Sequence, residues 1–132
     1  MTQAFDPAAT FVHLEPDGRA EPISVTPHFW EEVIGGQRGL DGWLVTGVHS
    51  LRSWDQWEQH PAGEELILLT DGAVDLILEW KSSQEAIRLG PAHPMAIVPR
   101  GVWHTVDVVE PATLTFVTFG KGTQHRPRRQ AD

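Results

Sequence analysis

The sequence predicts an all-β fold of antiparallel strands, a sandwich or a closed barrel, with one short helix near its start. Three observations carry that expectation. Runs of strand-forming residues recur at 8–12-residue spacing through most of the chain. Twelve Gly and ten Pro among 132 residues are many, as a chain full of turns requires. Hydrophobic residues make up 40%, which suits one domain with one core and excludes a disordered composition.

The elements follow in order. Residues 1–22 are Pro-rich and irregular, with a short strand at "TFVHLE". "TPHFWEEVIGG" offers the one helix start: Thr26 caps, Pro27 suits the first turn, Glu31 and Glu32 lie near the positive end, and Gly35 ends it. Everything after that reads as strand: "GWLVTGVHSL", "SWDQWEQH", then "EELILLTDG". Asp71-Gly72 is a turn signal, and "AVDLILEW" follows it. "KSSQ" is a hairpin loop and "EAIRLG" the returning strand. "PMAIVP", closed by "PRG", then "VWHTVDVV" and "ATLTFVTFG", bring the set to about eight strands. No internal repeat or linker interrupts them. The organisation expected is an N-terminal arm with the helix over 1–41, a β-barrel over 42–120 and a basic tail over 121–132.

Net charge is −8, which argues against a nucleic-acid partner, since such a partner needs a basic face. The charge is uneven. Residues 121–132 hold Lys121, Arg126, Arg128 and Arg129 against Asp132. They read as a solvated, frayed end, or more sharply as an arm crossing to a second, acidic subunit. The absence of cysteine excludes disulfides, thiolate catalysis and Cys-ligated metal, and favours a reducing compartment. No apolar run approaches the roughly 20 residues that span a bilayer. The opening "MTQAFDPAATFVHLEPDG" has no basic region followed by an apolar one. A soluble cytoplasmic protein without a membrane partner is the default expectation.

The chemistry concentrates in "WEQHPAGEELILLTDG", residues 57–72. Strand alternation puts Glu58 and His60 on one face. After "PAG", Glu65 begins a strand with Ile67 and Leu69 on its face. In "PRGVWHTV", His104 comes one tight turn after Pro99 and shares its face with Val102 and Val106.

These residues resemble the two motifs of the cupin family over about 42–120. His60 falls where the second histidine of the first motif belongs, four residues before Glu65, and six more precede Gly72. Pro99-Arg100-Gly101, two residues and His104 match the second motif. Departures accompany the match. Glu58 replaces the first histidine, Arg52 and His93 stand where leading glycines belong, and Val108 replaces the closing Asn. The resemblance implies a small single-domain cupin: an antiparallel β-barrel, also described as a double-stranded β-helix or jelly roll. It implies a divalent metal (Fe, Mn, Ni or Zn) held by Glu58, His60, Glu65 and His104.

Charge burial supports that set independently. Two carboxylates facing one apolar interior repel and lose hydration, at several kcal/mol per ion. Either one takes a proton or a cation compensates both. Two neutral imidazoles and two carboxylates around a divalent ion leave the site near neutral, and such N/O donors suit these metals. Other readings stay open. His104 alone could be a hydrogen-bonded core histidine. Glu58 could face solvent, or hold a ligand histidine without touching metal. Glu64 competes with Glu65, though spacing favours Glu65. The barrel could also have lost its metal.

By alternation Trp54 and Gln56 share the face of Glu58, and with Thr115 they are the candidate pocket residues. Trp57, Trp80 and Trp103 read as packing. His13, His28, His49, His93 and His125 lack ligand spacing. His49 is the least easily dismissed, and His125 reads as tail. The function expected is a small-molecule metalloenzyme of dioxygenase or isomerase type, with Glu58 as its base. The rival is a non-catalytic binding or sensor module, with or without metal. A homodimer is expected, with Leu66 and Leu68 facing outward.

Overall fold

The computed structural model of the chain describes residues 3–34 and 40–129. Among them are nine strands and one helix: β1 (Thr10–Leu14), β2 (Ala20–Ser24), α1 (Phe29–Ile34), β3 (Trp43–Ser50), β4 (Gln56–Gln59), β5 (Glu65–Trp80), β6 (Ser83–Leu89), β7 (Met95–Val98), β8 (His104–Thr118) and β9 (Gln124–Pro127). All their pairings are antiparallel, and they join into one sheet. The all-β jelly-roll expectation and the short helix both hold. Gly35, read as the helix end, lies outside the described residues.

Two long strands organise the molecule. β5 has 16 residues and β8 has 15. Their first and last halves serve different neighbours. Glu65–Leu68 pair with β7 and Val74–Trp80 with β6, while β8 runs beside β5 throughout. β3 takes the other edge of Ala112–Thr118, and β4 touches β8 at His104.

The sequence predicts a chain reversal at Asp71-Gly72, and the structure shows a bend instead. The β5–β8 register slips between Leu69 and Val74, so an extra residue is absorbed there as a bulge. Gly72 sits at φ 84°, and a Cβ at Gly72 would overlap the Pro111 carbonyl. Pro111 lies on β8 across this bend and has no N–H to give to the ladder, so regular pairing cannot continue past it. The bulge also corrects the pleat. Inward residues of β5 are Glu65, Ile67 and Leu69 before it, and Val74, Leu76 and Leu78 after it. The reading of "VWHTVDVV" and "ATLTFVTFG" as two strands is corrected in the same way, because β8 spans both.

The inward residues of both halves meet in one core of Ile67, Leu69, Val74, Leu76, Leu78, Leu89, Val98, Val106, Ala112, Leu114 and Phe116. Each large aliphatic there contributes about 2 kcal/mol of apolar burial. A second cluster of Phe11, Ile23 and Phe29 ties β1, β2 and α1 together, with the Phe11 and Phe29 rings edge-on at 5.1 Å. No described helix is long and apolar enough to cross a membrane.

Two strands escape the sequence reading. β2 contains Pro22, which an edge strand tolerates. β9 is "QHRP", polar and proline-ended, yet it pairs with β4. The frayed-end reading therefore fails for Gln124–Pro127, and the segment docks on its own chain.

Candidate metal centre

The four implied ligands come together where strands begin or end. Glu58 lies on β4, and His60 follows its last residue. Glu65 opens β5, and His104 opens β8 directly opposite Glu58. Gly101 makes the approach to His104 possible. It turns the chain at φ 73°, and its N–H donates to the His60 carbonyl at 2.9 Å.

Ligand atoms of all four lie within 4.8 Å of one another. His60 Nε2 stands 2.9 Å from Glu58 Oε1 and 3.0 Å from Glu65 Oε2. His104 Nε2 stands 3.1 Å from Glu65 Oε1 and 3.9 Å from Glu58 Oε1. Adjacent donors sharing one ion at ~2.1 Å stand about 3.0 to 3.4 Å apart, close to three of these separations, with His104 and Glu58 wider. His60, Glu65 and His104 are 4%, 2% and 0% exposed, whereas the Glu58 side chain is 22% exposed. Glu64, the competitor, is exposed.

Hydrogen bonds behind the ligands orient them. Thr123 Oγ1 donates to the Gly120 carbonyl at 2.8 Å, so it accepts from His60 Nδ1–H at 2.8 Å. The Val102 carbonyl accepts from His104 Nδ1–H at 3.1 Å. Both rings then turn Nε2 toward the carboxylates. Thr118 Oγ1 donates to Glu65 Oε2 at 2.6 Å, and His125 Nε2 to Glu58 Oε2 at 3.0 Å. His60 Nε2, His104 Nε2 and Glu65 Oε1 are buried without an aligned hydrogen-bond partner. Lone pairs from two imidazoles and two carboxylates thus converge on one point, and only a cation satisfies all of them. The donor set fits a divalent ion.

Protons are the alternative cations. Burial pushes the His60 imidazole down, but Glu58 and Glu65 beside it outweigh burial and raise it to about 9. Burial pushes Glu58 up, while His125 and His60 hold it down at about 2. Burial likewise raises Glu65, and His104 and His60 bring it below the ordinary carboxylate value. The bond from Glu58 raises His125, against its partial burial.

A cavity of about 520 Å³ opens beside the centre, lined by Arg52, Ser53, Trp54, Asp55, Gln56, Glu58 and His125. Glu58 is the one ligand that reaches it. Trp54 and Gln56 therefore lie where alternation put them. The Trp54 ring stands 6.3 Å from His104 and 5.8 Å from Phe116. Thr115 is the exception. It sits between the buried Leu114 and Phe116, so its side chain points to the other face of β8, away from the centre.

Trp57 is fully buried, and Arg126 stacks between it and Trp103 at 5.2 and 4.7 Å. Trp80 is 40% exposed and donates to Glu85 at 3.2 Å, so it is a hairpin residue rather than core. His49 faces Thr113 and Asp6 on the outside. His13 gathers with Glu15 and Glu21, but its Nε2 is taken by the Asp41 carbonyl and Glu15 by Arg19.

Sequence reasoning missed Thr118, Thr123 and His125. The first two carry no spacing signal, being hydroxyls on distant segments. His125 could have been noticed only by pairing the tail with β4.

No protein-family model matches the chain, and no curated protein matches it in sequence. Solved structures do resemble it. Peruvianin-I, a cysteine peptidase from Thevetia peruviana latex, is 20% identical at a TM-score of 0.55, over 67% of this chain and 58% of that one. A variant of oxalate decarboxylase from Bacillus subtilis is 14% identical at a TM-score of 0.50, over 64% of this chain and 23% of that one. A cupin-2 domain containing protein from Shewanella frigidimarina is 15% identical at 0.44, over 69% and 76%. The chain thus spans just over half of the first and under a quarter of the second. The first two likenesses concern fold, and a chain without cysteine cannot share thiol chemistry with the first.

Proposed function

We propose, from a cupin-type fold that gathers two histidines and two glutamates at one point, that this protein is a divalent-metal enzyme for a small oxygen-bearing molecule. One observation carries the reading. The Nε2 atoms of His60 and His104 and Oε1 of Glu65 are buried without an aligned hydrogen-bond partner, and they converge with Glu58 on one point. Fe, Mn, Ni or Zn suits such N/O donors. When bound, the ion supplies Lewis acidity or dioxygen activation, of the dioxygenase or isomerase kind. His60, Glu65 and His104 hold it, and their burial keeps water from them. Glu58 borders both the centre and the cavity, so it is positioned to take a proton from a molecule bound there. Trp54 supplies an apolar wall of that cavity, and Gln56 a polar rim.

A second reading has its own support. His125 donates to Glu58 Oε2 at 3.0 Å, which engages one oxygen of the would-be base and suits a centre that binds without turning over. Elemental analysis of purified protein, beside His60→Ala, tests the metal. About one equivalent lost in His60→Ala supports the reading, and no metal after reconstitution refutes it. Oxygen uptake with and without Glu58→Gln then separates catalysis from binding.

The proposal includes a homodimer. Leu66 and Leu68 lie on the outer face of β5, beside Ile97 and Met95 of β7, which are 57% and 56% exposed. A second copy of this chain would cover that strip. Sedimentation velocity decides it, and a monomer at micromolar concentration refutes it. A reducing cytoplasmic setting is proposed on the lack of cysteine alone.

A further inference from the structure

The two ligands of the β4 segment are supported differently from the other two. Glu65 and His104 open strands that pair with each other along nearly their whole length. Their orienting partners, Thr118 and the Val102 carbonyl, belong to that same frame or adjoin it. β4 meets the frame at one register pair, Glu58 with His104. Further links lie around it: Thr105 Oγ1 to the Gln56 carbonyl at 2.8 Å, Gly101 N–H to the His60 carbonyl at 2.9 Å and, ahead of β4, Trp54 N–H to the Val106 carbonyl and Val108 N–H to Ser53 Oγ, both at 2.9 Å. Along its other edge β4 pairs with β9 at every residue, from Gln56 with Pro127 to Gln59 with Gln124.

The segment that carries β9 also supplies the side chains that aim both ligands. Thr123 holds His60 and His125 holds Glu58. Its grip on the body is built from separate anchors. Arg126 lies between Trp57 and Trp103 and donates to Glu79. Arg128 pairs with Asp107 at 2.7 Å, and its N–H donates to the Asp55 carbonyl at 2.9 Å.

We propose that residues 123–128 form a strap that sets Glu58 and His60 for metal capture, with Thr123 and His125 as positioning residues. The inference rests on the metal reading above. Its chemistry is specific. The Thr123 hydroxyl has spent its proton on Gly120, so it can only accept, and it selects the His60 tautomer whose Nε2 is bare. Without it, the other tautomer points an N–H at the ion's place. His125 engages the outer oxygen of Glu58 and leaves Oε1 facing the two imidazoles. Because the strap and the ion both bear on β4, each favours the other by the same factor. Metal loading and strap docking are one coupled equilibrium.

The test titrates metal-free full chain with Co(II), reading affinity by calorimetry and ligand geometry by visible absorption. Backbone hydrogen exchange over 124–128 is followed in the same samples. Thr123→Val is expected to weaken Co(II) binding about 10- to 100-fold, with Thr123→Ser restoring it to within about threefold. His125→Gln shifts the Co(II) bands. Arg126→Gln, which touches no ligand, weakens binding at least about fivefold, and Co(II) slows exchange in the strap of the unmodified chain. Should Thr123→Val fail to fold, melting of the metal-free protein reveals it, and Arg126→Gln and His125→Gln decide the matter. Tight Co(II) binding unchanged in these variants, with exchange over 124–128 indifferent to metal, overturns the strap and leaves the metal site standing. A wild-type chain that binds no Co(II) overturns both.

Discussion

Taking metal-free protein from about pH 6 to about pH 9.5 should remove a large part of its stability. The reason is His60. Flanked by Glu58 and Glu65, its folded-state value is raised from 6.5 to about 9. A raised value means that the folded chain binds a proton the unfolded chain gives up. The associated stability is fully present below 6.5, declines between 6.5 and 9, and is gone above. At 1.36 kcal/mol per unit, the loss is on the order of 3 kcal/mol. His60 is 4% exposed, so solvent screens the interaction little. Glu58 works at the opposite limb. Its value falls from 4.5 to about 2, so its contribution is complete above 4.5 and disappears as pH drops through 2. Metal-free stability should therefore peak between about 4.5 and 6.5. Urea unfolding in the presence of a chelator, at half-unit steps, reads this directly. A profile flat from about pH 6 to 9.5 would show that His60 is neutral in the metal-free fold, and would refute the charge argument. With saturating metal the alkaline decline should disappear, because the ion displaces that proton.

Other perturbations have separable outcomes. His60→Ala should lose the bound metal in elemental analysis and leave Glu58 and Glu65 repelling each other, so metal retention at one equivalent would contradict the assigned ligand set. Glu58→Gln should keep the fold by circular dichroism and lose turnover or metal affinity, and unchanged values of both would remove Glu58 from the site. Leu76→Ala, in the core, should cost about 3 kcal/mol by urea unfolding, and a loss under about 1 kcal/mol would mean the surroundings collapse into the space. Gly72→Ala, forced to φ 84° against the Pro111 carbonyl, should cost at least about 2 kcal/mol and broaden or lower the thermal transition.

Local chemistry was legible, and long-range partnership was not. Glu65 is distinguished from Glu64 by its spacing from His60 and Gly72, and by alternation it shares the inward face of Ile67 and Leu69. Glu58 and His60 share a face for the same reason, two residues apart on an extended chain. Thr115 is polar, but its parity with the buried Leu114 and Phe116 sends it to the other face. Asp71-Gly72 reads locally as a reversal because the dipeptide serves turns and bulges equally. What decides is Pro111, which faces it from another strand and cannot be seen from the local window. β9 was lost to composition: four polar or proline residues give no hydrophobic alternation, and the pairing with β4 is worth more than any propensity they carry. Thr123 and His125 went unrecognised with it.

The paired long strands have a consequence for how the molecule comes apart. β5 and β8 each give backbone to both halves of the sheet, and the core draws inward residues from both sides of their bends. No seam runs between those halves, so opening one exposes the other, and the body should unfold as a single cooperative unit. The β1–β2 hairpin with α1 is different. It has its own small aromatic cluster and joins the body through three register pairs between β1 and β3. Slow-exchanging amides should therefore mark β5 and β8, while that hairpin yields first.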